Sequence, residues 1–311
     1  MKRSGIFWGL QVLLACCIFM MTGCFGSFPV IYADPENYTS GDTEISDRVE
    51  ALDIDWQSGR VDLVTHNGGG VIVTEKDGNA LAVEHRVHWW LDGTTLRIRF
   101  CASGERITFF EQDKKELTVS LPDDLMLSDL KIVSVSASVA AARMKAGEIN
   151  ITTASGEIDL SCEAEEISLN SASGKIELEQ KGHSESISAN SASGKINLGF
   201  ESAEKADLET ASGEISVSAV KVDGISVKTV SGGISLSFDE TPEACKARSV
   251  SESIGMVLPE SKGFAVQFNT VSGEFFSDFA LKKDGNRYIF GDGNADIKID
   301  TTSGGVNIRT K

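Results

Sequence analysis

From residue 51 onward, apolar and polar positions alternate in short runs. The segments "LDIDWQSGRVDLV", "GVIVTE", "TLRIRF" and "ELTVSLP" each place apolar residues two apart, with Gly, Asn and Asp between the runs. That period predicts strands with one buried face, and no 3.6-residue period persists in the body of the chain. Near Ile149 the alternation becomes a repeat. Aligned on Ser-Gly, Gly156, Gly174, Gly194, Gly213 and Gly232 follow one another at intervals of 18, 20, 19 and 19 residues. Upstream of each Gly the columns are Ile149, Ile167, Ile187, Ala206, Ile225 and Ile151, Leu169, Ala189, Leu208, Val227, then a hydroxyl column of Thr153, Ser171, Ser191, Thr210, Thr229. Downstream come Ile158, Ile176, Ile196, Ile215, Ile234. Looser copies carry Gly273 and Gly304, "IDWQSGRVDL" with Gly59 is a shortened copy, and "SASVAAA" at Ser136 to Ala142 replaces one Ser-Gly turn.

A unit of about nineteen residues cannot bury its own apolar stripe and must stack on its neighbours. Stacked columns put Ile on Ile, which predicts an all-β fold: a parallel β-helix of 18–20-residue rungs. Its expected hand is right, as for parallel crossovers generally. An antiparallel sandwich also alternates but does not require whole columns to recur. Ser-Gly is expected at a corner where Gly allows positive φ and close approach of successive rungs. Rungs are expected over 128–311 and a more irregular β region over 51–127.

The N-terminus gives an address. Lys2 and Arg3 precede the apolar run Val12 to Met21, too short to span a bilayer, and Met21-Thr22-Gly23-Cys24 follows. This segment resembles a bacterial lipoprotein signal. The resemblance implies cleavage after residue 23, lipidation of Cys24 and a body held at the membrane outside the cytoplasm. Residues 24–50, Gly-, Ser-, Pro-, Asn- and Asp-rich without an apolar period, read as a flexible tether.

Charge narrows the partners. The chain carries 29 Lys and Arg against 46 Asp and Glu, net −17, and loss of Lys2 and Arg3 makes the body −19. Such a surface repels nucleic acid phosphates and anionic lipid headgroups, so both are expected to be poor partners and no nucleic-acid partner is expected. Of six Cys, Cys16 and Cys17 leave with the signal and Cys24 is lipidated, so Cys101, Cys162 and Cys245 remain as buried thiols.

Candidate chemistry is thin. Asp292, Asn294 and Asp296 alternate as a calcium loop begins, but Ile297 and Ser303 stand where that loop needs Gly and Glu, so a tight turn is expected. His85 and His88, three apart in an expected strand, point to opposite faces and make a poor metal pair, while His66 and His183 read as solvated. Ser155, Ser173, Ser193, Ser212 and Ser231 recur in every rung, which suits turn hydrogen bonds better than one activated nucleophile. Glu163, Glu165 and Glu166, with Asp239 and Glu240, read as solvated corners. No catalytic residue, metal site or cofactor is assigned.

"DIDWQSGRVDL", "LTVSLP" and the serial "SASGKI" and "TASGEI" units resemble the bacterial putative-adhesin domain family of unknown function, over about Ala51 to Lys311. The resemblance implies a β-helical envelope protein. The expectation is a non-enzymatic, lipid-anchored scaffold that binds an envelope protein or glycan through its polar faces. The alternative is a polysaccharide-acting β-helix enzyme. The outward columns Asn150, Ser168, Ser188, Asp207, Ser226 and Asp159, Glu177, Asn197, Ser216, Ser235 single out no rung, which favours the scaffold.

Overall fold

The computed structural model describes residues 28–76, 78–107, 115–260 and 263–311; the signal segment and Cys24 lie outside them. Two compact units divide the chain, one of residues up to Cys162 with Asn170–Ala172, the other of Glu163–Leu169 with Ser173–Lys311. Both are β-solenoids.

The first unit holds β1 (Phe28–Pro29), β2 (Thr39–Ser40), β3 (Thr43–Ile45), β4 (Ala51–Trp56), β5 (Arg60–His66), β6 (Val71–Glu75), β7 (His88–Asp92), β8 (Thr95–Arg99), β9 (Arg106–Ile107), β10 (Glu116–Pro122), β11 (Leu127–Ser134) and β12 (Ser138–Thr153), with β13 (Ile158–Ser171) following. Strand β4 lies parallel between β8 and β11, and β11 lies parallel to β12. Their register builds the columns Leu96, Leu52, Leu130, Ile149 and Ile98, Ile54, Ile132, Ile151, all fully buried. On the other side of the turn β5 lies parallel between β10 and the start of β12. The rung made of β4 and β5 therefore comes earliest in the chain yet sits inside the stack. Antiparallel strands close the outer side, with β7 on β8, β6 on β10, β2 on β7 and β3 on β6.

This arrangement corrects the tether over residues 28–50. Phe28–Pro29 pairs with Arg106–Ile107, the short strands β2 and β3 cover exposed edges, and Val30, Ile45 and Val49 are buried. Isolated apolar residues anchor a segment whose backbone hydrogen bonds protect sheet edges, so no apolar period is needed.

The second unit holds β14 (Ile176–Ser191), β15 (Ile196–Thr210), β16 (Ile215–Lys228), β17 (Ile234–Phe238), β18 (Ala244–Ser249), β19 (Ile254–Leu258), β20 (Phe264–Asn269), β21 (Phe275–Ser277), β22 (Lys282–Asp284), β23 (Arg287–Phe290), β24 (Ala295–Thr301) and β25 (Val306–Thr310). All rung pairings among them are parallel and in the register of the repeat. Ile176, Ile196, Ile215, Ile234, Ile254 and Val306 form one buried column. A second runs through Ile187, Ala206, Ile225, Cys245, Ile297 and Val266. Parallel pairing excludes the sandwich.

The stacking order departs from the chain order here too. Strand β24 inserts between β18 and β20, and β25 between β19 and β21. The last rung of the sequence is thus the next-to-last rung of the stack. The antiparallel hairpin β22–β23 covers β20, with Phe264, Phe279 and Phe290 in mutual ring contact at 4.8–5.5 Å.

The hydroxyl column explains the corner. Thr153, Ser191, Thr210, Thr229 and Thr270 each accept the backbone N–H three residues on, at 2.7–3.1 Å. Ser134 does the same for Ala137 at 2.8 Å, so "SASVAAA" forms a proper corner with Ala137 in the glycine position. The exposed serines Ser155, Ser212 and Ser231 donate to carbonyls of the previous rung, as their recurrence implied. Replacing Thr229 with its isostere Val strands the buried Gly232 N–H. A cost of about 1–3 kcal/mol is expected, read from urea unfolding, while Thr229→Ser stays near wild type.

The corner glycines correct the expectation of positive φ. Gly194, Gly213 and Gly232 lie outside the left-handed region, and a Cβ on each falls 2.0, 2.0 and 1.8 Å from the carbonyl oxygen of the preceding corner glycine. Close approach alone imposes glycine there. Gly59, at φ +89°, does use the left-handed region.

Candidate functional site

In the second unit Ile225, Val227, Cys245, Ala247, Ile297 and Ile299 face the core, so the residues between them face out. Register sets these in rows across the strands. One row reads Ser188, Asp207, Ser226, Lys246, Lys298, Gln267 and the next Asn190, Glu209, Lys228, Arg248, Asp300, Asn269. A half-open groove of about 240 Å³ lies over the middle of both rows, lined by Ser226, Lys228, Lys246, Arg248, Lys298 and Asp300 among others.

Four cations and one carboxylate line this groove in a chain of net charge −17. Asp300 is 3.8 Å from Arg248 and accepts a hydrogen bond from Asn269 Nδ2 at 2.8 Å. Lys228 leans away toward Glu209 at 3.5 Å. Among the described residues Lys246 and Lys298 have no ion-pair partner, and they stand directly opposite each other on adjacent strands. Opposed like charges on a sheet are unfavourable. The groove can hold an anion, and an anion would relieve that repulsion.

A second polar cluster, in the first unit, is internally satisfied. Arg97 bridges Asp53 at 2.7 Å and Asp92 at 3.0 Å, and Arg99 meets Asp53 at 3.0 Å. Tyr32, Tyr38 and Trp90 pack about these guanidiniums, at ring-to-cation distances of 5.8–6.0 Å. Burial pushes the Tyr32 phenol up to about 12 and raises the Asp55 carboxyl. Nearby, the buried Lys115 lies 2.8 Å from the fully buried Glu75, 2.7 Å from the His85 carbonyl and over the rings of Phe100 and Trp56 at 4.1 and 4.9 Å. Burial pushes its ammonium down to about 7, and the Glu75 carboxylate opposes that push. These groups tie the antiparallel strands on the outer side of the first unit to its rungs and offer no vacant charge.

The residues weighed from sequence fall apart in space. Cys24 lies outside the described residues. His85 ends a short 3-10 helix and His88 opens β7, so they do not share a strand as expected. His66 is not merely solvated: its Nδ1 accepts the Gly68 N–H at 3.0 Å and Nε2 meets the Gly70 carbonyl at 2.9 Å, which fixes its own turn. Asp292 accepts from the Asn294 backbone at 3.2 Å in a turn with Gly291 and Gly293 at positive φ, as expected for a tight turn. No cluster able to hold a metal occurs among the described residues. Cys101, Cys162 and Cys245 are buried free thiols, each pushed up to about 12 by burial.

His183 is less isolated than its sequence implied. Its Nδ1 lies 3.1 Å from Ser202 Oγ and its Nε2 3.9 Å from Glu204. The imidazole and carboxylate side chains are 57% and 63% exposed, and the neighbouring Gly182 N–H is already donated to Glu201. A Ser-His-acid relay needs its acid held dry and oxyanion donors free. Here the acid is exposed and the Gly182 N–H is occupied.

Lys246 and Lys298 were missed. The outward column from Asn150 to Ser226 singles out no rung, and the lysine pair lies beyond it. Its next member, Lys246, was the available signal that these rungs differ. The chain matches a family model, Toastrack DUF4097, over residues 84–309. The chain belongs to the Toastrack DUF4097 family. The Toastrack match begins after β4 and β5, although that rung lies inside the stack. Similar solved structures include a putative lipid binding protein from Parabacteroides distasonis ATCC 8503, at 15% identity and TM-score 0.44 over 88% of this chain and 96% of that one. A putative adhesin from the same organism is 13% identical at TM-score 0.41, over 88% and 97%. A putative cell adhesion protein from Clostridium sporogenes ATCC 15579 is 11% identical at TM-score 0.20, over 88% and 100%. No curated protein matches this Toastrack chain in sequence.

Proposed function

We propose that the protein is a non-enzymatic binding scaffold, held at the outer face of a cell membrane by lipid on Cys24, that engages an envelope protein or glycan through the outward rows of its rungs. The observation that carries this reading is the use of the repeated polar groups. The hydroxyls that recur in the rungs are spent on corner hydrogen bonds, while the outward rows form an in-register array whose charge changes sign at Lys246 in one row and at Lys228 in the next. Surfaces of this kind bind extended or repeated partners through many similar contacts.

The alternative, a polysaccharide-acting enzyme, would have to draw on groups such as Ser202, His183 and Glu204, and the exposure of that imidazole and carboxylate argues against it. His183→Ala leaves binding unchanged if the scaffold reading holds; loss of a hydrolytic activity in that variant would restore the enzyme. The anchor is tested by Cys24→Ala, which is expected to shift the protein from the membrane to the soluble fraction with loss of acyl label. One acyl chain gives only marginal anchoring, and the several chains of a lipoprotein cysteine give a stable one. Crosslinking in intact cells, followed by identification of what is attached, tests the partner class.

A further inference from the structure

We infer that the groove over β16, β18 and β24 is a binding site for a compact phosphoryl group, with Lys246 and Lys298 as its two principal ligands. The inference names a ligand class for the scaffold's outward rows and so rests on that reading. In parallel strands about 4.8 Å apart, directly opposed lysines bring both ammoniums within reach of one tetrahedral oxyanion. Arg248 flanks them, held only loosely by Asp300 at 3.8 Å, and Lys228 closes the side toward β15. Lysine acts as a mobile point charge, suited to a multiply charged oxyanion more than to a planar carboxylate, which favours the fork of arginine. Ser226 and Gln267 continue the lysine row on either side, and Asn269 ends the next one, offering hydrogen bonds to uncharged parts of the ligand.

The surroundings limit the ligand's size. Along the rows the cations give way to Asp207 and Glu209 on one side and to neutral Gln267 and Asn269 on the other. A long polyanion crossing the groove would run onto the acidic rows of a strongly negative chain. A headgroup with two or three negative charges fits within the basic rows. That chemistry belongs equally to a free phosphate ester and to the phosphomonoester headgroup of a lipid.

The test uses the soluble full chain carrying Cys24→Ala, so that the anchor does not mask vesicle binding. Titration calorimetry with glycerol 3-phosphate, a small phosphomonoester, reports a soluble ligand. Flotation with phosphatidylcholine vesicles, with and without phosphatidate, reports a headgroup. Binding in either arm is expected to weaken about tenfold or more in Lys246→Gln and in Lys298→Gln, the loss of one charge-assisted hydrogen bond. Lys221→Gln, an exposed lysine outside the groove, is expected to change nothing. Both groove variants should melt at or above the wild-type temperature, because each removes one of two opposed like charges. Binding in the calorimeter alone assigns a soluble ligand, and binding only to phosphatidate vesicles assigns a lipid. No binding in either arm, or binding unchanged in both groove variants, overturns the site. If the site falls while crosslinks to an envelope partner persist in cells, the scaffold reading stands; if the crosslinks are also absent, both fall.

Discussion

Lys115→Met is expected to destabilise the first unit by about 3–5 kcal/mol, the cost of removing one partner from a buried ion pair. Glu75 is fully buried and its Oε2 accepts the Val87 N–H at 2.8 Å, so it cannot turn to water when the ammonium 2.8 Å from its Oε1 is gone. Lys115 also donates to the backbone carbonyls of His85 and Phe100, which tie the segments before and after β7 and β8 to the start of β10. The change therefore strands one carboxylate and two carbonyls together. For a domain whose whole stability is about 5–15 kcal/mol, that brings unfolding close to ambient conditions. Urea unfolding followed by tryptophan fluorescence measures it well, because the lost ammonium sits over the Trp56 ring. The double variant Lys115→Met, Glu75→Met should recover most of the loss, since replacing both members of a buried pair by apolar groups is often nearly neutral. A single variant as stable as wild type would show that the Lys115–Glu75 pair does not hold these segments together.

The repeat and its columns were legible in the sequence because each rung obeys the same local rule. Ile196 stacks on Ile215 for the reason that Ile176 stacks on Ile196, and the alignment on Ser-Gly reproduces the register of the strands. What could not be read is where a rung goes when it leaves chain order. β4–β5 and β24–β25 each obey the columns, yet each inserts between rungs that are neighbours or near neighbours in sequence. Apolar columns accept any member of the series, since Ile297 fits between Cys245 and Val266 as well as beyond them. Periodicity therefore fixes register within a pair but not the order of pairs.

That ambiguity hid the candidate site. In chain order the neighbour of Lys246 would be Gln267, and no pair of cations would form. Insertion of β24 puts Lys298 there instead. The ordered segment over residues 28–50 escaped notice for a different reason: it is held by backbone pairing and by aromatic contacts of Tyr32 and Tyr38, neither of which leaves an apolar period. The corner glycines were placed correctly from sequence, but two physical reasons for glycine, left-handed backbone and crowding, give the same letter.

Substitution by asparagine separates those reasons. Asn adopts the left-handed region several-fold more readily than most residues, so it should be tolerated where glycine serves φ alone. Gly93, at φ +63° with nothing within 4 Å of a built Cβ, is such a place, and Gly93→Asn is expected to cost less than about 1 kcal/mol. Gly213 is the opposite case: its Cβ would lie 2.0 Å from the Gly194 carbonyl oxygen and 2.7 Å from the carbonyl carbon, both backbone atoms of the rung beside it. Relief requires the corners to separate, and that lengthens the hydrogen bonds from the Ala211 and Ser212 N–H groups to the Ala192 carbonyl, now 3.2 Å each. Overpacking costs typically 1–3 kcal/mol where side chains can yield, and backbone against backbone yields less, so Gly213→Ala and Gly213→Asn should each cost about 3 kcal/mol or more. Gly255→Ala is the internal control, because its Cβ would meet the Ile234 carbonyl at an ordinary 3.9 Å, and there the loss of glycine from a strand should be neutral or mildly stabilising. Chemical denaturation of the four variants decides the matter: a Gly213→Asn protein as stable as Gly93→Asn would mean that the stack can open at its corner, and that crowding is not what places glycine at Gly194, Gly213 and Gly232.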